Sequence, residues 1–305
     1  DREYVLSLDV EHYFGNIQKM RKHLETDRQI LWVTYYRNLY NATHPSEINS
    51  PVSLSRNLLA WNQPGTNGLI LPVNPSASFL SILFANELWF TLGDMTMAEH
   101  CAMLSMIFSP RNSGSRMIKR LAEINLVNGD DEAALKYLRI LDKTLLHKSW
   151  AEKRIPGQQT PQVKEWLEKK RRDIPTQDQL RSGNDAVTSL QNLVASNAGN
   201  LRAYEYLLCY HLLSKDLRSF VEDYVPGKVS SPIFAEALLI HLARQGNIRA
   251  EELIKYQIPV EIAKEFADYT RLYEAKDTSL KEKYGKTYWF YYHFATTEPG
   301  KESKP

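Results

Sequence analysis

Residues 79–110 read FLSILFANELWFTLGDMTMAEHCAMLSMIFSP, and this stretch decides the fold. It contains two apolar helical patterns, separated by a glycine at position 93. Gly93 predicts the end of the first helix, because glycine adopts the left-handed conformation of a helix C-terminus at little cost. Ala98 allows the axes of two helices to approach closely, and Pro110 cannot continue the second helix. The stretch therefore predicts two antiparallel helices joined by a short turn.

The same spacing recurs along the chain and has the length of a tetratricopeptide repeat, about 34 residues. Counted from the start of the quoted stretch, the turn glycine falls at position 15 and the small residue at position 20. A second unit starts at Ser115, with Gly129 and Ala134 in these two positions. Two more units start at Leu201 and Pro232. The pattern predicts a stack of paired helices.

The last two units depart from the pattern at its most constrained positions. In the third, Lys215 replaces the turn glycine and bulky Phe220 replaces the small residue. The fourth has a turn at Gly246-Asn247, followed by an irregular second helix. The linker-like run 197–200, Asn-Ala-Gly-Asn, supports the start of the third unit at Leu201. These departures predict that the helix pairs are unequal.

The fold class predicted from these units is all-α, a right-handed solenoid of antiparallel tetratricopeptide-like helix pairs. We expect one domain over residues 1–295, with irregular insertions at 43–78 and 150–183 where proline and other loop residues interrupt the pattern. Residues 296–305 form a polar tail that we expect to be disordered. The aromatic run YWFYYHF at 288–294 predicts a final helix that covers the open end of the stack.

Composition excludes some classes of function. Lysine and arginine number 38 against 36 aspartates and glutamates, so the net charge of +2 predicts no binding to nucleic acid. Cys101 and Cys209 each lie in an apolar helical pattern, which predicts buried thiols and gives no reason for a disulfide. No run of 18 apolar residues occurs. Because the chain starts at Asp1 without methionine, we expect a fragment or a processed product.

No enzyme signature is present in the sequence, and we expect neither catalysis, a cofactor nor a metal ion. The possible metal ligands Asp9, Glu11, His12 and His23 are interpreted as a polar surface, because their spacing does not bring them to one face. The consecutive residues Glu99, His100 and Cys101 would point in different directions around a helix.

Two further groups have a structural interpretation. The basic run 169–172, KKRR, is predicted to be a solvated helix end, where cations complement the helix dipole. His211 and His241 lie in apolar helical patterns, so we interpret them as hydrogen-bonded core or half-buried residues.

The first helix of each repeat presents four positions to the concave surface of a solenoid. Charged residues in these positions, next to apolar ones, are typical of a surface that binds an extended peptide or a partner helix. We therefore predict a protein or peptide partner and a binding surface that contains Arg116, Lys119, Glu123, Arg202, Glu205 and Glu236.

The units at 79–110 and 201–208, together with the closing aromatic run at 288–292, resemble the C-terminal region of an uncharacterised family from Bacteroides-type bacteria. The resemblance covers nearly the whole chain. It implies a membrane-attached, full-length protein in the cell envelope, anchored by hydrophobic spans that precede this region; the alternative location is the cytoplasm. The family implies no functional residues.

Two alternatives to a binding scaffold follow from other features. The long loop 43–78 could form a site near Trp61 and Asn67, which would make the chain a helical hydrolase or a glycan-binding or glycan-processing protein. The chain could also be a structural domain that associates with itself.

Overall fold

A computed structural model describes residues 86, 88–108, 114–176, 186–285 and 287–294 of the 305-residue chain. These ranges contain helices, turns and no strand, which confirms the all-α class for them. The backbone contacts assign the described residues up to Ala203 to one compact unit and those from Tyr204 to a second. The part of the predicted domain before residue 86, with the loop 43–78, and the tail 296–305 lie outside these ranges, and the single domain stays a prediction.

The first unit contains a helical segment at residues 88–92 and six complete helices. The helices are α1 Met95–Phe108, α2 Gly114–Asn128, α3 Asp131–Asp142, α4 Lys148–Glu152, α5 Pro161–Asp173 and α6 Ala186–Ser196. Helix α2 is central to this unit, because α1, α3 and α5 all pack against it. Its apolar side meets α1 around Met117 and Leu121, and meets α3 and α4 around Ala122.

The second unit begins within the first turn of the next helix and contains seven helices among its described residues. They are α7 Leu201–Leu213, α8 Leu217–Asp223, α9 Pro232–Arg244, α10 Ala250–Lys255, α11 Val260–Glu274, α12 Leu280–Tyr284 and α13 Tyr288–Phe294. Eight of the thirteen residues of helix α9 are buried, and the helix packs against α8, α11 and α13. It therefore has the central place that α2 has in the first unit.

Each predicted repeat turn has a residue in the left-handed conformation at position 15. The φ angle is +94° at Gly93, +81° at Gly129, +57° at Lys215 and +64° at Gly246. In all four turns the N–H of the next residue, position 16, donates to the carbonyl of position 11 at 2.9 Å. The N–H of position 15 donates to the carbonyl of position 12. This pair of bonds is the Schellman motif, which satisfies the last carbonyls of a helix.

An aspartate directly after the left-handed residue caps the following helix in three of these turns. The Oδ1 atoms of Asp94, Asp130 and Asp216 accept a hydrogen bond from the backbone N–H three residues later, at 3.0, 2.9 and 3.0 Å. Side-chain caps of this type contribute about 1 kcal/mol each to helix stability. Two consecutive residues thus end one helix and start the next.

Small residues sit at the helix contacts where the repeat pattern predicts them. Ala98 and Ala134 are fully buried at position 20 of their units. The buried side chain of Asn86 donates to the carbonyl of Ala98 at 2.6 Å and so joins the two helices of the first pair. In the third unit Phe220 is fully buried in this position, and its helix α8 has only seven residues. The short helix is consistent with the predicted inequality of the pairs.

One asparagine connects the ends of two helices of the first unit to the start of α7. The Nδ2 atom of Asn200 donates to the carbonyls of Leu92 and Asp173, at 2.7 Å each. Its Oδ1 atom accepts the N–H of Ala203 at 3.0 Å and so caps the start of α7. A Cβ atom on Gly93 would collide with the same Asp173 carbonyl. The ends of three helices therefore meet at a site where there is no room for a side chain at position 93.

The aromatic run forms helix α13, as predicted, and three of its seven residues are buried. Tyr288 and Trp289 are fully buried, and Tyr291 nearly so. The hydroxyls of Tyr288 and Tyr291 donate to the carbonyls of Leu212 and Leu213, the last residues of α7, at 2.8 and 2.7 Å. Helix α13 therefore covers the C-terminal end of α7 and satisfies two of its carbonyls.

We expect Gly93→Ala to destabilise the protein much more than Gly129→Ala. Both substitutions force alanine into a positive φ, which costs about 1 kcal/mol. A Cβ at Gly129 would have no heavy atom within 4 Å, whereas at Gly93 it must displace the Asp173 carbonyl, at a further cost of about 1–3 kcal/mol. Urea denaturation of the two variants measures the difference, and equal losses would contradict the packing described at Gly93.

Candidate functional site

The basic run at the end of α5 contacts two neighbouring helices. The Nζ atom of Lys170 donates to the carbonyl of Phe90 at 3.1 Å. Arg171 donates to the carbonyls of Leu126 and Val127, at 2.7 and 3.0 Å. These carbonyls belong to the last turns of segment 88–92 and of α2, where the helix dipole is negative. Lys169 forms an exposed ion pair with Glu165 at 2.7 Å.

The prediction that the whole run is a solvated helix end is therefore wrong for Lys170. Its ammonium group is enclosed between helices, and it stabilises the C-terminus of a helix other than its own. The prediction fails because the side chains of four consecutive helical residues point in directions about 100° apart, so part of the run faces the helices that pack against α5. The capping partner of each cation could not be found from the run itself.

Lys170 is part of an aromatic and basic group that we call the Phe90 cluster: Phe90, Arg120, Trp166 and Lys170. The guanidinium of Arg120 lies 3.7 Å from the centroid of the Phe90 ring, and the Nζ of Lys170 lies 4.6 Å from it. The Trp166 ring stacks on Phe90 with centroids 6.3 Å apart. Cations favour the electron-rich face of an aromatic ring, so the phenyl group holds both positive charges near each other.

The Phe90 cluster lowers the pKa of Lys170 to about 8. Burial is the largest cause, since it disfavours the charged ammonium, and repulsion from Arg202 and Arg120 adds to it. Asp173 and Glu123 oppose the shift. An amine with this pKa is partly neutral at mildly alkaline pH and could in principle act as a base. In the described residues its hydrogen bond goes to a backbone carbonyl, which gives it a structural role.

Glu236 is the corresponding half-buried charge of the second unit. One carboxylate oxygen accepts the N–H of Tyr288 at 2.5 Å, and the backbone carbonyl of Glu236 accepts the Trp289 indole N–H at 3.0 Å. Burial raises the pKa of Glu236 to about 7, against the lowering effect of the Tyr288 hydrogen bond, and Glu265 raises it further. This residue thus joins α9 to the start of α13.

Two histidines that could have been catalytic have ordinary packing partners. His211 is buried, and its Nε2 atom lies 2.9 Å from a carboxylate oxygen of Asp223. The backbone around Asp223 is held by Tyr204, whose hydroxyl donates to the Asp223 carbonyl at 2.9 Å. His241 is half-buried, with its Nε2 atom 3.0 Å from Nε2 of Gln245. Both predictions, a hydrogen-bonded core histidine and a half-buried one, are confirmed.

Both cysteines are free and fully buried, as predicted. Burial raises the pKa of the Cys209 thiol well above its usual value, with Glu205 adding to the shift, so this sulfur is a poor nucleophile. Cys101 is fully buried whereas its neighbour His100 is exposed, so the two point in different directions, as expected. Within the described ranges no three potential ligand side chains are grouped as a metal ion requires. The residues Asp9, Glu11, His12 and His23 lie outside these ranges.

The six predicted surface residues differ in exposure. Arg116, Lys119 and Glu123 share helix α2; Lys119 is buried, with its Nζ atom 5.2 Å from the Trp150 ring centroid. Glu123 forms an ion pair with Arg120 at 2.9 Å. The other three are Arg202, which is exposed, and Glu205 and Glu236, which are half-buried. That the six form one binding surface stays a prediction.

These observations define an all-α protein whose helices pair through a recurring left-handed turn and whose buried charges join helix ends. The model of the family of unknown function DUF6057 matches residues 1–295, and the chain belongs to this family. Neither a curated protein nor a solved structure shows significant similarity to it. None of the helices within the described ranges has both the length and the apolar character needed to cross a membrane.

We expect Glu236→Gln to stabilise the protein at pH 8 and to leave its stability at pH 4 almost unchanged. The folded-state pKa of Glu236 is raised from 4.5 to about 7, so the folded state binds more protons between these values and stability falls as the pH rises through them. The full shift corresponds to about 3 kcal/mol. Glutamine removes this loss while its carbonyl still accepts the Tyr288 N–H.

Urea denaturation at both pH values, with the exposed Glu261→Gln as the matched control, measures this effect. If Glu236→Gln changes the free energy of unfolding by the same amount at pH 4 and at pH 8, the raised pKa of Glu236 is contradicted.

We expect the opposite pH dependence for Lys170. Its pKa falls from 10.5 to about 8 on folding, so the unfolded state binds more protons between these values. Stability then rises as the pH increases from about 8 to 10, by up to about 3 kcal/mol. Denaturation of Lys170→Met across this range should lack the rise, whereas the exposed neighbour variant Lys169→Met should keep it. A rise that survives in Lys170→Met would show that another group causes it.

Proposed function

We propose that this chain is a non-catalytic binding scaffold, a right-handed solenoid of tetratricopeptide-like helix pairs that binds a protein or peptide. The observation that carries the proposal is the recurring turn. A left-handed residue at position 15 and the same 2.9 Å hydrogen bond from position 16 to position 11 occur in all four predicted repeats. Repeated helix pairs with equivalent turns are typical of solenoids, which present extended binding surfaces.

The use of the chemically versatile side chains also favours a scaffold over an enzyme. Lys170, His211 and Glu236 each contact a partner that belongs to the packing of the helices: a carbonyl, a carboxylate and a backbone N–H. An active site would need such groups to converge on a space where a substrate could bind. In the described residues these groups hold helices together.

The binding surface that we propose includes the six charged residues on the first helices of the repeats. Arg202 is the most informative of them, because it is exposed and lies on the first turn of α7, where a substitution leaves the core intact. Glu205 lies on the next turn of the same helix. Mixed charges on one helix face suit an extended peptide or an amphipathic helix of opposite charge pattern. Membrane attachment of a longer form, in the cell envelope, belongs to the same proposal and is supported by the family resemblance.

We expect a photo-crosslinking amino acid at Arg202 to form a discrete adduct with a polypeptide from the native host. The matched control carries the same amino acid at Lys264, an exposed cation on α11 outside the proposed surface. Adduct formation is read on a denaturing gel, and the double variant Arg202→Ala with Glu205→Ala should reduce capture of the same polypeptide. Adducts of equal yield at both positions, or none at Arg202, would remove this surface from consideration.

A further inference from the structure

The turn between α3 and α4 presents two adjacent leucines to water. We call residues 143–148, KTLLHK, the leucine turn. Leu145 is 97% exposed and Leu146 is 84% exposed, the two highest values among the large apolar side chains that the structure describes. Ile140, on the last turns of α3, is 50% exposed. Single exposed apolar residues are normal, but two neighbouring leucines without apolar contacts are not explained by the packing of the fold.

The leucine turn has a defined conformation. The hydroxyl of Thr144 donates to the carbonyl of Leu141 at 2.7 Å and accepts the N–H of His147 at 3.2 Å. The carbonyl of Thr144 accepts the N–H of Lys148 at 3.1 Å. These bonds close the turn on both sides of the leucines. Their exposure is therefore a property of a fixed turn.

Cations surround the apolar tip. Between residues 136 and 148 the chain has four lysines or arginines and a single carboxylate, Asp142. All four cations are exposed: Lys136, Arg139, Lys143 and Lys148. Lys136 and Lys148 also lie 3.4 and 3.9 Å from Glu132 and Glu152, in exposed ion pairs that offset part of this positive charge. The leucine turn and the adjoining helix ends thus carry more exposed positive than negative charge next to two exposed leucines.

We propose that the leucine turn binds the surface of a membrane that contains anionic lipid, with Leu145 and Leu146 inserted between the headgroups. Leucines at a protruding tip bury their apolar area at the acyl boundary, and lysine or arginine near the surface is attracted to anionic headgroups. A second copy of the chain is a poorer occupant, because self-association through this tip would place four cations against four. The inference goes beyond the scaffold function and does not depend on its binding surface.

The chain contains a matched control for this turn. Ile254 on α10 is 77% exposed. Two carboxylates, Glu251 and Glu252, precede it on the same helix. It has an exposed apolar side chain of similar size, and its one adjacent cation, Lys255, is ion-paired with Glu252 at 3.2 Å. A membrane surface should therefore distinguish Leu145 and Leu146 from Ile254.

The test measures co-sedimentation of the 305-residue chain with vesicles of phosphatidylcholine that contain phosphatidylglycerol. We expect Leu145→Ser with Leu146→Ser to weaken partitioning about tenfold or more, and Ile254→Ser to leave it unchanged. Vesicles of phosphatidylcholine alone should bind the unmodified chain much more weakly, and added salt should reduce binding to the anionic vesicles. Because the leucines are exposed, the thermal melting of the double variant should equal that of the unmodified chain.

A second measurement locates the inserted side chain. A polarity-sensitive fluorophore is attached to Leu146→Cys or to Ile254→Cys; the native thiols of Cys101 and Cys209 are fully buried and should not react. Anionic vesicles should shift the emission at position 146 to the blue and leave the emission at position 254 unchanged.

Four results would overturn the proposal. They are the absence of binding to anionic vesicles, equal binding by the double leucine variant, no emission shift at position 146, and a dimer seen by light scattering that the double leucine variant abolishes. The last result would assign the leucine turn to self-association. If an acidic protein, added in place of vesicles, protects the fluorophore at position 146 from water, the turn would instead be assigned to a protein partner.

Discussion

The backbone of a helix end is the constraint on which this structure depends. Every helix leaves carbonyls without partners at its C-terminus, and a fold made of short helices has many such ends. Here a left-handed residue closes the end, and the next residue, most often aspartate, starts the following helix. The direction reversal therefore takes two residues. Short reversals bring consecutive helices close together, most extensively α2 and α3.

Side chains complete what the turns leave unsatisfied. Lys170, Arg171 and Asn200 donate to carbonyls at the ends of helices that are distant in sequence, and the hydroxyls of Tyr288 and Tyr291 do the same in the second unit. A buried cation at a helix C-terminus is favoured by the dipole and disfavoured by the loss of water. The lowered pKa of Lys170 shows that the second effect is large here. The buried cation that connects two helices here therefore carries a cost of lost hydration.

The turns could be predicted from the sequence, and the buried charges could not. Gly93 and Gly129 mark their turns because glycine is favoured at positive φ, and Ala98 and Ala134 mark the contacts because of their size. An aspartate follows predicted position 15 in three of the four turns, a signal in the sequence that the repeat pattern alone did not use. Lys170 and Glu236 are enclosed by elements distant in sequence, so periodicity gave no sign of their burial. The arrangement of the pairs as a solenoid and the binding surface depend on such long-range contacts.

The neighbours Lys170 and Arg171 bind two different helices from consecutive positions of α5. Adjacent residues on a helix point about 100° apart, so α5 has a single rotation about its axis at which both contacts form. One residue added or removed between Pro161 and Lys170 would rotate the basic end and break both contacts at once. The loop before Pro161 lies outside this span, so a change in its length leaves the spacing from Pro161 to Lys170 unchanged. Within DUF6057, α5 should therefore keep a constant length in chains where the loop before it varies.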